Sequence, residues 1–127
     1  MAKEGLCLGR SGEELAADFL RKNGYKVLER NYKTKLGEID IIACEKDTYV
    51  FIEVKTRNSD RFGLPSEAVS LRKQRQISKA ALNFLKINDL LGRKARFDVV
   101  SVIFLEDGRQ KLDLIKNAFE LDERFTY

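Results

Sequence analysis

The sequence predicts a single α+β domain, a sandwich of helices on a sheet, with the element order αβββαββ. Two segments repeat apolar residues at helical spacing, and five short segments rich in apolar and β-branched residues are typical of strands. The 127 residues include 43% hydrophobic and 35% charged residues, eight Gly and one Pro, which is the composition of one folded domain. No repeat or linker divides the chain, so we expect residues 1–127 to fold together.

Both predicted helices have recognisable ends. Ser11 is followed three residues later by Glu14, a capping-box pattern, and predicts a first helix over Gly12–Asn23 that stops at Gly24. The second helix is predicted to begin after Ser70 and to run from Leu71 to about Leu91, where Gly92 ends it.

The strands are predicted on either side of the second helix. Short turns separate the first three, which indicates an antiparallel meander, and an Asp-Gly pair at 107–108 predicts a hairpin between the last two. The predicted strands are Tyr25–Lys33, Glu38–Cys44, Tyr49–Thr56, Phe97–Leu105 and Lys111–Ala118.

Composition excludes several classes of protein. The chain has no histidine, which removes Ser/His/Asp triads and Cys/His zinc sites. Cys7 and Cys44 are too few for a disulfide framework, and two free thiols indicate a reducing compartment. No apolar run approaches the ~20 residues that span a bilayer, and the charged start lacks a signal-peptide pattern. We therefore expect a soluble cytoplasmic protein with no membrane partner.

Positive charge is concentrated in one segment. The whole chain carries +4, and residues 55–79 contain seven bases and two acids, a net +5. This charge fits a nucleic-acid phosphate surface, and a solvated helix face explains it equally well. Lys73 in particular lies on the side of the apolar stripe, either over a site or extended to solvent. The candidate nucleic-acid contacts are Arg57, Arg72, Lys73, Arg75 and Lys79.

The chemistry is predicted in the central hairpin. Glu53 and Lys55 are two residues apart in a strand and therefore share a face. If Lys46 and Asp47 form a two-residue turn, Asp40 lies opposite Glu53, with Cβ atoms about 4.5–5.5 Å apart. Two such carboxylates repel each other by about 1–4 kcal/mol.

A divalent cation converts that repulsion into coordination. Oxygen ligands and a partly open site suit Mg²⁺ or Mn²⁺, and Lys55 beside the metal would supply a charge for phosphodiester hydrolysis. Taken alone, a Glu and a Lys two residues apart usually mark a solvent-facing strand. Here Glu53 ends a face that also carries Tyr49 and Phe51, and acids at the rim of a buried surface are typical of a site.

Three further features of the sequence each allow two interpretations. Glu38 could be an outer ligand or a solvated strand start. Asp98 could act in the site, but a contact with Arg96 or a turn cap explains it without catalysis. The segment Asn58–Ser66 could be a flap over the substrate or a plain connection.

The chain carries a set of short motifs: Gly9, Gly12, Glu13, Ala16, Gly37–Ile42 (GEIDII), Phe51–Arg57 (FIEVKTR), Ala68, Val69, Lys73, Arg96, Phe97 and Asp98. At these residues the sequence resembles the YraN-like family of small bacterial proteins, which is regarded as having the restriction-endonuclease-like fold of the PD-(D/E)XK nucleases and is similar to archaeal Holliday junction resolvases. The resemblance implies an αβββαβ core with a central mixed sheet flanked by helices. It also implies that Asp40 and Glu53 hold the metal, that Lys55 is catalytic, and that Glu13 reaches the same metal. Ile39 stands where that superfamily often has Pro before the first acid.

The sequence thus predicts a nuclease that hydrolyses DNA phosphodiester bonds, including those of branched or repair intermediates, with Mg²⁺ or Mn²⁺. A nucleic-acid-binding module without turnover and a scaffold protein stay open as alternatives. RNA as substrate and a homodimer also remain open.

Overall fold

The computed structural model describes residues 10–58 and 69–120. Its element order confirms the predicted αβββαββ, and the strand bounds agree with the predicted ones to within two residues. The elements are α1 (Gly12–Lys22), β1 (Lys26–Lys33), β2 (Glu38–Glu45), β3 (Thr48–Arg57), α2 (Leu71–Ile87), β4 (Ala95–Phe104) and β5 (Gln110–Phe119).

Within those ranges the strands form one five-stranded sheet in the order β1-β2-β3-β4-β5. β1, β2 and β3 are an antiparallel meander, β3 and β4 are parallel, and β4 and β5 form the predicted hairpin. The parallel pair requires a crossover, which α2 provides. The sheet is therefore mixed and carries helices, as the family resemblance implies.

The second helix is shorter than predicted. α2 ends at Ile87 rather than near Leu91, because Asn88 caps it: the Asn88 side-chain amide donates to Phe84 O at 2.8 Å. Asp89 then adopts a left-handed φ of 56°, which ends the helical path. Gly92 has a φ of 90° and belongs to the connection that follows, not to the helix end.

Within the described residues, one helix packs on each face of the sheet. Ala16 and Leu20 of α1 pack with Ile52, whereas Ile77 of α2 packs with Phe51. Successive residues of a strand point to opposite faces. Phe51, Glu53 and Lys55 stand at alternate positions of β3, so all three lie on the face that α2 covers, which we call the α2 side.

Two glycines set how closely the helices approach the sheet. A Cβ on Gly12 would lie 2.4 Å from Thr56 Oγ1, so the start of α1 is in contact with the end of β3. A Cβ on Gly37 would lie 2.5 Å from Gln76 O, so the start of β2 is in contact with α2. Neither helix in the described ranges is long and apolar enough to cross a membrane.

Candidate active site

The central feature is a pair of carboxyl groups on neighbouring strands. β2 and β3 pair with Ile41 opposite Ile52, and their turn is Lys46 and Asp47. This is the predicted register; the paired residues end at Ile41 and Ile52, and Asp40 and Glu53 are the next residue of each strand. The two carboxyl groups are close enough for the charge of Asp40 to act on Glu53, and Asp40 Oδ2 accepts from the Val54 backbone N–H at 2.8 Å.

Glu53 is buried, with 5% of its surface exposed. Burial, followed by the charge and hydrogen bond of Asp40, raises the pKa of Glu53 to about 7. Lys73 and Lys55 act in the opposite direction and lower this pKa. The balance shows that the two lysines do not fully compensate for the buried negative charge.

Two lysines approach the same oxygen of Glu53. Lys55 Nζ lies 3.5 Å from Glu53 Oε2, and Lys73 Nζ lies 3.7 Å from it. Lys55 comes from the same strand, as predicted. Lys73 comes from the first turn of α2, so it leans over the carboxylates and does not extend into solvent. Sequence spacing placed Lys73 on the correct side of the helix, but its partner depends on how α2 crosses the sheet.

Glu13 is placed elsewhere. Its Oε1 accepts from Arg30 Nε at 3.0 Å and from Asn31 Nδ2 at 3.1 Å, and α1 packs on the face of the sheet opposite to Glu53. In residues 10–58 and 69–120, no three acidic or cysteine side chains are grouped closely enough to hold one metal ion. The expected three-carboxylate set is therefore not assembled; the structure brings together Asp40 and Glu53.

The basic residues divide into two groups. Arg57 ends β3 two residues beyond Lys55, and Lys73 belongs to the carboxylate site. Arg72, Arg75 and Lys79 recur at helical spacing along another side of α2. Arg72 is exposed, while Arg75 and Lys79 are partly buried and have contacts of their own. The other base of this segment, Arg61, and residues 59–66 of the proposed flap lie outside the described ranges, as does Cys7.

Asp98 belongs to a separate, buried network: it pairs with Ile52, the neighbour of Glu53, and lies on the opposite, α1 side of the sheet. It is 0% exposed and accepts from Arg96 Nε at 2.9 Å, from Tyr25 Oη at 3.0 Å and from the Asn117 backbone N–H at 2.9 Å. Arg96 also donates to Glu45 Oε1 at 2.8 Å. The contact between Asp98 and Arg96 is one of the two interpretations that the sequence allows, and it explains Asp98 without a catalytic role. Sequence patterns did not indicate Tyr25 or Glu45, because their partners are more than 50 residues away.

We expect Asp98→Asn to reduce the free energy of unfolding by about 3–5 kcal/mol, since it removes the buried carboxylate that pairs with Arg96 and accepts from Tyr25 and Asn117. Urea unfolding followed by circular dichroism measures this. Asp47→Asn is the matched control, because Asp47 pairs with Lys94 in solvent and its loss should hardly move the midpoint. An Asp98 variant as stable as wild type would show that the network contributes little.

Glu38 is exposed at the start of β2, which favours the solvated interpretation. The site therefore consists of Asp40, Glu53, Lys55 and Lys73, contributed by β2, β3 and α2. All four lie within one stretch of the chain that can be compared with known families.

A family model described as "Uncharacterised protein family UPF0102" matches residues 12–102, from α1 into β4. The chain belongs to the UPF0102 family. This confirms the YraN-like resemblance seen in the sequence. The matched range contains the whole carboxylate and lysine site.

Several curated UPF0102 proteins are similar to the chain over nearly their full length. One from Syntrophomonas wolfei is 52% identical, covering 88% of this chain and 96% of the relative. One from Syntrophus aciditrophicus is 49% identical over 93% of this chain and 92% of the relative. A third, from Geobacter metallireducens, is 49% identical over 95% of this chain and 98% of the relative. Their shared name, UPF0102 protein, states no activity.

Proposed function

We propose that this UPF0102 chain is a metal-dependent nuclease that hydrolyses phosphodiester bonds of DNA. The observation that carries the proposal is the buried Glu53 beside the partly buried Asp40, with Lys55 and Lys73 next to them. Burying the Glu53 carboxyl next to a second acid costs free energy, so folding alone gives no reason for the arrangement. A divalent cation and an anionic substrate together would account for both the acids and the lysines.

The donor set fits Mg²⁺ or Mn²⁺, because both cations prefer carboxylate oxygens and retain positions for water and phosphate. Asp40 and Glu53 would hold the cation, which when bound supplies positive charge at the phosphate. Ligation by Glu13 stays a prediction of the resemblance. In the described structure it would have to exchange Arg30 and Asn31 for the metal.

The two lysines have different roles in this proposal. Lys55 extends from the strand that carries Glu53, and we assign it to orient the attacking water and accept its proton or stabilise the charge that develops on phosphorus-bound oxygens. Lys73 reaches the site from α2 and is assigned to the phosphate of the substrate. Lys55 Nζ and Lys73 Nζ lie 3.5 and 3.7 Å from Glu53 Oε2. Neither lysine therefore needs a large movement to reach a phosphate beside the acids.

A binding module without turnover is the second candidate. It is favoured by Arg72, Arg75 and Lys79, which run along α2 next to the site and would attract any phosphate backbone. Hydrolysis separates the two candidates, since a binding module has no need of Lys55. A cytoplasmic location and a homodimer remain predictions.

The deciding experiment incubates the protein with end-labelled linear, nicked, flap and four-way-branched DNA, and with an RNA of the same sequence. Each substrate is tested in Mg²⁺, Mn²⁺ and EDTA. Cleavage that needs the cation and is abolished in Asp40→Asn supports the nuclease. Binding without cleavage of any substrate supports the module.

We expect Arg72→Gln to weaken DNA binding for all sequences alike and to flatten its dependence on salt. Each phosphate contact contributes roughly 0.9 to the slope of log affinity against log salt for duplex DNA. Fluorescence anisotropy in EDTA over a range of NaCl measures this. Lys94→Gln is the control, because Lys94 is an exposed cation at the opposite end of the sheet. Equal slopes for wild type and Arg72→Gln would leave α2 as a solvated face.

A further inference from the structure

The turn between β1 and β2 has a defined shape, held by one side chain. Thr34 Oγ1 accepts from the backbone N–H groups of Leu36 at 3.0 Å and Gly37 at 3.1 Å, and donates to Gly37 O at 3.0 Å. The Thr34 backbone N–H also donates to Gly37 O, at 2.9 Å. The turn therefore presents Leu36, which is 52% exposed, in a fixed position.

An open groove of about 520 Å³ lies between residues 32–36 and the α2 residues Asn83 and Ile87. Ile87 is 69% exposed, so the groove has an apolar side chain on each wall. Tyr32 forms part of its lining and is itself held in place: its hydroxyl accepts from Asn83 at 2.9 Å, and its ring packs edge-on against Phe84 at 5.5 Å. The groove is thus preformed and partly aromatic.

The same groove is positively charged. Lys33 and Lys35 line it and are exposed, and none of the described residues that line it is acidic. Apolar and aromatic surfaces bordered by lysines match a single nucleic-acid strand, whose bases stack on the former and whose phosphates pair with the latter. A duplex keeps its base faces stacked inside the helix, so it would use the lysines only.

The groove is close to the carboxylates. Gly37 is in contact with Gln76 O of α2, one helical turn from Lys73, which reaches Glu53. Leu36 lies in the turn before β2 and precedes Asp40 by four residues, so the two are at most about 13 Å apart along the chain. One strand of nucleic acid can therefore contact both places.

We propose that this groove binds an unpaired stretch of the nucleic acid whose backbone is cut at Asp40 and Glu53. The inference rests on the proposed function and deepens it. The bases pack against Leu36, Ile87 and Tyr32, and the phosphates lie near Lys33 and Lys35. Substrates with unpaired bases beside the cleaved bond, such as flaps and single-stranded ends, are then preferred to continuous duplex.

The test is binding in EDTA, which separates the groove from catalysis. Fluorescence anisotropy compares wild type, Leu36→Ser and Leu91→Ser on three probes: a mixed-sequence single strand, the same strand with abasic sites throughout its centre, and the matching duplex. Leu91 is 58% exposed and does not line the groove, so it is the matched control. Near-identical circular dichroism spectra and unfolding midpoints verify that the variants fold.

We expect Leu36→Ser to weaken binding of the intact single strand about fivefold, because the exposed part of the leucine side chain no longer packs against a base. Binding of the abasic strand and of the duplex should not change, and Leu91→Ser should behave as wild type. The proposal is overturned if Leu36→Ser binds the intact single strand with the affinity of wild type, or if its affinity falls equally for all three probes. It is also overturned if wild type binds no nucleic acid. A selective loss without any metal-dependent cleavage would support the groove and refute the nuclease.

Discussion

Lys55→Ala should reduce cleavage by about 100- to 10,000-fold while nucleic-acid binding largely survives. A positioned group that transfers a proton or stabilises developing charge acts mainly in the transition state, and its loss appears in the rate. Binding depends on several bases, of which Lys55 is one. Single-turnover cleavage of a substrate that wild type cuts, at saturating Mn²⁺, measures the effect.

Three companion measurements sharpen this prediction. Metal affinity, measured by calorimetric titration, should stay the same or rise in Lys55→Ala, because a cation near the metal has been removed. Lys55→Arg separates two roles: an arginine keeps the charge but does not give up its proton in proteins, so a rate restored by arginine indicates charge stabilisation alone. Lys94→Ala is the control lysine. Wild-type rates for Lys55→Ala would contradict the assignment of Lys55 and the proposed mechanism with it.

The second large effect is on stability and its dependence on pH. The pKa of Glu53 in the folded protein is about 7, above the ordinary value of 4.5, so the folded chain holds this proton more tightly than the unfolded chain. The contribution of Glu53 to stability is therefore greatest below pH 4.5. It falls as the pH rises from 4.5 to 7 and is absent above that range. A shift of this size corresponds to about 3 kcal/mol.

Glu53→Gln cannot ionise and should remove this pH dependence. Without metal at pH 8, we expect the variant to be more stable than wild type by about 1–3 kcal/mol, since the cost of a buried charge beside Asp40 disappears while part of it is offset by the lost attraction of two lysines. The difference between the two proteins should shrink as the pH falls to 5. Urea unfolding at several pH values in EDTA measures it.

A divalent cation should make wild type more stable than Glu53→Gln at pH 8, the reverse of the order expected without metal. Mn²⁺ that binds the folded state raises the unfolding temperature of wild type, whereas Glu53→Gln has lost a charged ligand and should respond weakly. Asp40→Asn should also lose the response to metal while its fold stays intact, because an asparagine oxygen can still accept from Val54 N–H. A Glu53→Gln protein that is less stable than wild type at pH 8 without metal would show that Lys55 and Lys73 outweigh burial.

Much of this site follows from local rules. The two-residue turn at Lys46 and Asp47 determines the pairing of β2 and β3, and strand alternation then places Glu53 and Lys55 on one face with Asp40 opposite. These contacts join residues close in sequence, so periodicity and turn length suffice to predict them. The same is true of the helix starts, where Ser11 and Ser70 each accept from a backbone N–H three residues later.

The end of α2 could not be predicted as well. Both Asn88 and Gly92 are suitable residues at a helix end, and the choice depends on whether the residues between them continue the helix. Asn88 caps the helix by donating from its side chain to Phe84 O. The chain then turns back, and the Leu90 backbone N–H donates to Leu85 O at 2.7 Å. Leu90 packs against the α2-side core as a result, which is a tertiary contact that no local pattern shows.

By itself, then, the sequence determined the order of the elements, the register of the central hairpin and the pairing of Asp40 with Glu53, because each depends on neighbouring residues. Only the tertiary structure decided which helix reaches that pair. α2 crosses the face that carries Glu53 and delivers Lys73, whereas α1 covers the other face, where Glu13 meets Arg30. Burial of Glu53 follows from the same packing, and burial is the main reason why the pKa of this carboxyl beside Asp40 is raised.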